Sequence, residues 1–257
     1  MTISAESVDE LWVVMPAYNE EAGILATLKA LAAQRDQDFT LLIVNNNSTD
    51  RTAEVVRDFA LAQPALRLEL ITEKEKGTGT AADTGMRYAA SCRARFLART
   101  DADCIPAPDW TEKIRAGFDD GLTLIAGRLT PRLDEGLSRW KRTVLRTAVS
   151  VATIFGRFRP GNRDRKALGP YVMAAGCNMA ITADLYLRAG GFPRTRIEDL
   201  HEDRALVNAV RRLTPAYGAR RDMLVFSSSR RVRAWGLRNT LAWYADHRYR
   251  PEEVDIR

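Results

Sequence analysis

Arg95-Phe96-Leu97-Ala98-Arg99-Thr100-Asp101-Ala102-Asp103 turns from an apolar run to a pair of carboxylates. Read as a strand, 95–100 delivers Asp101 and Asp103 at its carboxyl end, where open α/β sheets bind ligands. Side chains at i and i+2 of a strand share a face, so both carboxylates can address one hard cation. Mg²⁺ and Mn²⁺ are held in this way, by one or two carboxylates completed with phosphate oxygens. The plainer reading is that the two aspartates cap a helix running from Pro106 to Phe118. A lone D-x-D is common, so its setting has to decide.

Upstream, the setting is a regular alternation. Leu11-Trp-Val-Val-Met followed by Pro16 reads as a buried strand ending in a loop. Ile24, Leu25, Leu28, Leu31 and Ala32 recur at helical spacing within 20–34. Phe39 to Val44 is a second strand, ending in Asn45-Asn-Asn-Ser-Thr-Asp50, a loop rich in helix-capping residues. A helix carrying Val55, Val56 and Phe59 follows, then a third strand from Leu66 to Ile71, a Gly-rich loop and a helix from Ala81 to Cys92. Such alternation predicts a mostly parallel sheet covered on both faces. Its ligand loops would be 16–20, 45–50, 74–80 and 101–103.

The second half is less regular. A strand is expected over Leu122–Ala126, a long helix over Leu137–Phe158, a strand within Gly169–Ile181 and a short helix over Ala183–Ala189. Another helix is expected over Asp203–Arg212, and Met223 to Phe226 is strand-like. With no internal repeat or linker, 1–257 is expected to form one domain.

Composition narrows the class. With 46% hydrophobic and 28% charged residues, the 257-residue chain can bury a proper core. Its 39 Lys+Arg against 33 Asp+Glu leave +6, too small an excess to imply nucleic acid. Most of the cations are arginines, which grip phosphate as planar forks, so anionic ligands are expected. Cys92, Cys104 and Cys177 are odd in number and lack metal-type spacing, which fits a reducing compartment. Residues 1–10 hold no signal-like core, and no apolar run approaches the roughly 18 residues of a spanning helix. A cytoplasmic location is the expectation.

Several segments together resemble a known family. Pro16-Ala-Tyr-Asn-Glu20, Val44-Asn-Asn-Asn-Ser-Thr-Asp50, Lys76-Gly77 with Asp83-Thr-Gly85, and Thr100-Asp-Ala-Asp103 are similar, in order and spacing, to motifs of the family 2 glycosyltransferases. Ala175-Gly-Cys-Asn-Met-Ala180, Gly190-Gly-Phe192 and His201-Glu-Asp203 are similar to that family's acceptor-side segments. The resemblance runs from about residue 11 to 213. It implies the GT-A fold, a Rossmann-like αβα sandwich with an acceptor-side helical segment. A nucleotide-binding half would span about 11–104 and an acceptor half about 105–257. It also implies a nucleoside-diphosphate sugar donor (UDP- or GDP-linked), a divalent metal (Mn²⁺ or Mg²⁺) and inversion at the anomeric carbon. The Q-x-x-R-W signature of processive synthases is missing, which favours addition of a single sugar.

The resemblance also assigns roles. Asp103 would ligate the metal, with Asp101 beside it or turned to the ribose or a bound water, and Ala102 between them. Asp203, with Glu202, would be the general base. A second pair, Glu198-Asp199, competes for that role. The later pair is preferred because Arg204-Ala-Leu-Val-Asn-Ala-Val continues it as a helix, as in the family. For either pair the plainer reading is a helix N-terminal carboxylate favoured by the dipole. Pro16, Tyr18 and Glu20 would line the base and ribose, and Lys76 and Gly77 would approach the diphosphate or the base.

Two positions depart from the family. Asn46 stands where many relatives carry Asp at the base edge, and Asp83 replaces a more usual Asn. An amide both donates and accepts, which leaves the nucleotide open. Arg230 and Arg231 fall where relatives often carry a mobile arginine-bearing loop that would close over the diphosphate. The alternative for them, as for 74–76, is a solvated basic turn. His201 adjoins the base, and His247 is the candidate third metal ligand. Cys177 reads as a small packing residue.

From Arg139 to Lys166 nine Lys/Arg surround Trp140, Leu145, Phe155 and other apolar residues, with Asp164 the one acid. That helix would meet an anionic membrane surface, bind an anionic or lipid-linked acceptor, or pack on the sheet with a cationic outer face. Two other functions compete. A sugar-phosphate nucleotidyltransferase would carry its Gly-rich phosphate loop after the first strand, whereas Gly77-Thr-Gly-Thr80 comes later. A non-catalytic nucleotide-sugar-binding protein would need no base. A dinucleotide oxidoreductase fails for want of G-x-G-x-x-G at the first helix.

Overall fold

The structure is a computed structural model that describes residues 10–155, 162, 164–194 and 202–244. Its first half is built of the expected strand–helix pairs. β1 (Leu11–Ala17), β2 (Thr40–Asn45), β3 (Leu68–Thr72) and β4 (Phe96–Arg99) alternate with α1 (Ile24–Ala32), α2 (Thr52–Ala62) and α3 (Thr78–Ser91). Then come β5 (Ile105–Pro106), α4 (Trp110–Asp119), β6 (Leu124–Pro131) and α5 (Arg139–Phe155). A 3₁₀ turn at Gly176–Asn178 leads into β7 (Met179–Thr182) and α6 (Ala183–Arg188). α7 (Glu202–Val210), β8 (Tyr217–Ser227) and α8 (Arg230–Tyr244) complete the described chain.

One eight-stranded sheet runs in the order β3-β2-β1-β4-β7-β6-β8-β5. The β3-β2-β1-β4 half is parallel throughout. β7 reverses against both β4 and β6, β8 is again parallel to β6, and β5 is antiparallel to β8. The sheet is therefore more mixed than the expected mostly parallel one, and its polarity changes beside β4, the strand that leads to Asp101 and Asp103.

Alternation along β1 divides the core into two layers. Leu11, Val13 and Met15 pack with Ile24, Leu28, Phe59, Trp110 and Ile114 from α1, α2 and α4. Trp12 and Val14 face the other way, onto Ala82 and Met86 of α3, Tyr186 of α6 and Leu206 and Val207 of α7. Each such aliphatic or aromatic side chain contributes about 1.5–3 kcal/mol when fully buried. Gly85 lets α3 approach closely: a Cβ there would lie 2.5 Å from Val14 and 2.7 Å from Val44.

Three expectations need correction. α4 begins at Trp110 with Asp109 at its N-cap position, so Asp101 and Asp103 do not cap it. Pro16 lies buried within β1 rather than in the loop beyond. Arg230 and Arg231 open helix α8 rather than occupying a loop. Glu198, Asp199, His201, His247 and much of 156–163 lie outside the described residues, so the structure does not address the roles expected of them.

Candidate active site

The loops after β1 and β2 are laced together. Asn19 and Asn47 take positive φ, 51° and 67°, a conformation that asparagine tolerates better than most residues. Asn19 N–H donates to Ser48 Oγ and Thr49 N–H to Asn19 Oδ1. Glu20 N–H donates to Thr52 Oγ1 at 2.7 Å and Glu21 N–H to Asp50 at 3.0 Å. The capping residues of 45–52 thus fix the 18–21 loop as well as starting α2.

Asn46 is spent on a third loop. Its Nδ2 donates to the carbonyls of Glu73 (3.0 Å) and Glu75 (2.7 Å), and its Oδ1 accepts from Gly77 N–H at 2.9 Å. This side chain clamps 73–77, and a carboxylate could not replace both donations. Across that loop Lys76 Nζ lies 4.7 Å from the centre of the Tyr18 ring and 3.3 Å from its hydroxyl. Tyr18, Lys76 and Gly77 therefore do gather.

Asp83 plays a different part. It is buried, accepts from Arg87 and from Tyr186 Oη (2.8 Å), and Tyr186 Oη in turn accepts from Phe192 N–H. This chain ties α3 to the Gly190-Gly191-Phe192 turn, where Gly191 has φ 80°. A Cβ at Gly191 would also meet Asp83 Oδ1 at 2.4 Å.

At the end of β4 the carboxylates collect around an arginine that sequence reasoning missed. Arg99 is fully buried; its Nη1 and Nη2 lie 3.4 Å from Glu202 Oε1, and Nη2 lies 3.4 Å from Asp101 Oδ1. Its Cζ sits 5.0 Å from the centre of the Phe192 ring. Its Nε is buried with no partner among the described residues. Gly176 makes the approach feasible, since a Cβ there would fall 2.8 Å from Arg99 Cζ. Burial works against the charge on Arg99, but Asp101 and Glu202 raise its pKa above the ordinary value. A charge amid Phe-Leu-Ala was the available signal; nothing in the sequence shows which carboxylates it would meet.

Glu202 and Asp203 form the first turn of α7. Asp203 accepts from the N–H groups of Arg204 (2.6 Å) and Gly176. Burial, reinforced by Glu202, pushes its carboxyl up to about 6. Burial also pushes Asp101 up, against the pull of Arg99.

Asp103 faces the other side. Arg230 Nη2 lies 2.7 Å from Asp103 Oδ2, and the same guanidinium holds both Glu20 oxygens at 3.0 and 2.7 Å. Glu20 is therefore an arginine anchor here, and Arg230 reaches the site. Arg231 lies over Trp235. Arg132, also missed, donates from Nη1 to the Asp103 carbonyl at 3.1 Å. Glu135 accepts from Ser228 and Ser229, pinning the start of α8. The buried Cys104 thiol donates to Asp103 Oδ1 at 3.4 Å, and its contact with Cys177 together with burial raises its pKa well above a free thiol's. It stays protonated, as suits a packing residue.

A metal fits this donor set. Asp101 and Asp103 offer hard oxygens, with 33% and 21% of their side-chain surface open. Among the described residues no cluster of three ligating side chains occurs.

Comparison with known proteins follows the same outline. The sequence model of one family, described as Glycosyl transferase family 2, matches residues 12–186. The chain is 31% identical over 120 residues to glycosyltransferase AglE of Haloferax volcanii, a match spanning 46% of this chain and 38% of AglE. It is 33% identical over 94 residues to the Escherichia coli enzyme named UDP-Glc:alpha-D-GlcNAc-diphosphoundecaprenol beta-1,3-glucosyltransferase WfgD, spanning 36% and 34% of the two chains. The mannosyltransferase PcManGT of Pyrobaculum calidifontis, solved with GDP-Man and Mn²⁺, superposes with a TM-score of 0.64 at 23% identity over 88% of this chain and 59% of that one. The chain thus spans less than half the length of either curated relative named here.

Proposed function

The chain belongs to the family 2 glycosyltransferases and has the GT-A fold, and from that premise we propose that it moves one sugar, with inversion, from a nucleoside-diphosphate sugar to an acceptor hydroxyl. The observation that carries this reading is the cluster at the end of β4, where Asp101, Asp103, Glu202 and Asp203 meet Arg99 and Arg230 at a change of sheet polarity. The names of the relatives support a UDP- or GDP-linked donor and a lipid-linked acceptor.

Tyr18, Lys76 and Gly77 would form the nucleotide wall, on loops that Asn46, Ser48 and Thr52 hold in place. Asp103 and Asp101 would hold Mn²⁺ or Mg²⁺ against the diphosphate. Such an ion supplies positive charge to the oxygens of the leaving group. Arg230, seated between Glu20 and Asp103, is within reach of the same region and can pair with phosphate through two parallel hydrogen bonds.

Asp203 takes the acceptor's proton. As the hydroxyl oxygen bonds to the anomeric carbon, the bond from that carbon to the diphosphate breaks on the opposite face, and the proton passes to Asp203. A carboxyl raised to about 6 is a better base than an ordinary aspartate and is still ionised at neutral pH. Arg99 acts at one remove, holding Asp101 and Glu202.

The test pairs transfer with binding. Asp203→Asn should cut transfer by about 10²–10⁴-fold while UDP or GDP with Mn²⁺ still raises the melting temperature. Asp103→Ala should lose that stabilisation. Unchanged turnover in Asp203→Asn would transfer the base role to another carboxylate. A native protein that no nucleoside diphosphate stabilises would sink the reading altogether.

A further inference from the structure

A cleft separates the end of β6 from the first turns of α5. Its volume is about 250 Å³, and Arg139, Arg142 and Arg146 line one wall while Thr130, Pro131 and Leu133 line the other. The arginines recur at i, i+3 and i+7, so they stand above one another on a single helix face. The loop between the two elements carries acids that could have neutralised Arg139 and Arg142, yet these are engaged elsewhere. Asp134 pairs with Arg132 at 2.7 Å, and Glu135 is held by Ser228 and Ser229 with Arg132 at 3.6 Å. Among the described residues no carboxylate pairs with Arg139 or Arg142.

Two further features bear on what the cleft takes. Pro131, which lines the cleft, is followed by Arg132, whose guanidinium donates to the Asp103 carbonyl, so one short segment of chain joins the cleft wall to the carboxylate cluster. Leu133 is 67% exposed and Trp140 60% exposed, next to the arginines. Guanidinium groups in a cleft suit a phosphate oxyanion. Exposed apolar neighbours suit an aliphatic chain attached to it.

We propose that this cleft seats a phosphate group carried by the acceptor, with Arg139, Arg142 and Arg146 as its donors. The inference rests on the transferase reading for the word acceptor, but the binding it asserts is measured without turnover.

The probes are farnesyl phosphate, its uncharged analogue farnesol, and inorganic phosphate, titrated against the full chain. The variants are Arg142→Gln and Arg139→Gln/Arg146→Gln, with Arg57→Gln, exposed on the outer face of α2, as a control for net charge. Farnesyl phosphate should bind the native chain and the control alike, and each cleft variant at least about tenfold more weakly. Binding of UDP or GDP with Mn²⁺ should be equal in all four proteins, which separates this test from that of the donor site. If inorganic phosphate competes as well as farnesyl phosphate, the seat stands and the acceptor is water-soluble. If farnesol binds as well as farnesyl phosphate, or Arg57→Gln weakens binding as much as the cleft variants, the seat is refuted. Phosphatidylglycerol vesicles binding with the same strength and arginine dependence would also refute it, in favour of a membrane-surface helix.

Discussion

Asp203 combines burial, a charged neighbour and two backbone donors, and its pH behaviour follows from their balance. In the proposed role of base it would work only when ionised, so transfer should rise as pH climbs through about 6 and level off above. Stability should move the opposite way. A carboxyl whose folded pKa lies above its ordinary 3.8 favours the folded state most when protonated. That contribution is present at low pH and is lost as pH rises from about 4 through about 6. Asp203→Asn should remove this slope and be more stable than the native chain at pH 7, by on the order of 2 kcal/mol, as urea unfolding at pH 5 and 7 would show. Asn46→Asp tests the clamp on 73–77. It removes two donations to partly buried carbonyls and should cost about 0.5–1.5 kcal/mol for each, with weaker nucleotide binding measured by calorimetry. Both positions were visible in the sequence, but not their work. The partners of Asn46 lie 27–31 residues away, and Asp203 draws one of its backbone donors from distant Gly176.

Elements were legible where their own residues determine them. β1, β2 and β4 are buried along almost their whole length, and such strands appear as unbroken apolar runs. α1 and α2 showed their helical period. β5 was illegible because it has two residues and exists only by pairing with Val225 and Phe226. α8 was missed because Gly236 (φ 77°) interrupts it and arginines crowd its first turn. β6 runs on to Pro131, past the expected Ala126, because a bulge at Gly127/Arg128 re-aims it along β8. Asn178 fills that bulge, accepting from Trp110 Nε1 and donating to the carbonyls of Arg128 and Met223. Packing between elements is tested best at Gly85. Gly85→Ala forces a methyl group against Val14 and Val44 and should destabilise the chain by about 1–3 kcal/mol despite alanine's better helix propensity. Thermal unfolding measures the shift, and an unchanged or higher midpoint would mean that α3 retreats freely.

Across the whole molecule, the two core layers meet on β1, β2 and β4, while α5 and the far end of β8 carry many exposed positions. Amide exchange should therefore be slowest in those three strands and faster by orders of magnitude in α5. Mass spectrometry of exchanged peptides would read this directly, and equal protection would contradict it. The ion pair of Arg230 with Glu20 spans 210 residues of sequence. A ribosome makes the first of these residues long before the second, and chains fold from the amino end as they emerge. The 18–21, 45–50 and 73–77 loops proposed to meet the nucleotide can thus be in place while Glu20 and Asp103 still face water without their arginine. The site is finished by α8, which is translated after every strand of the sheet, so the growing chain shapes its loops first and receives their clasp later.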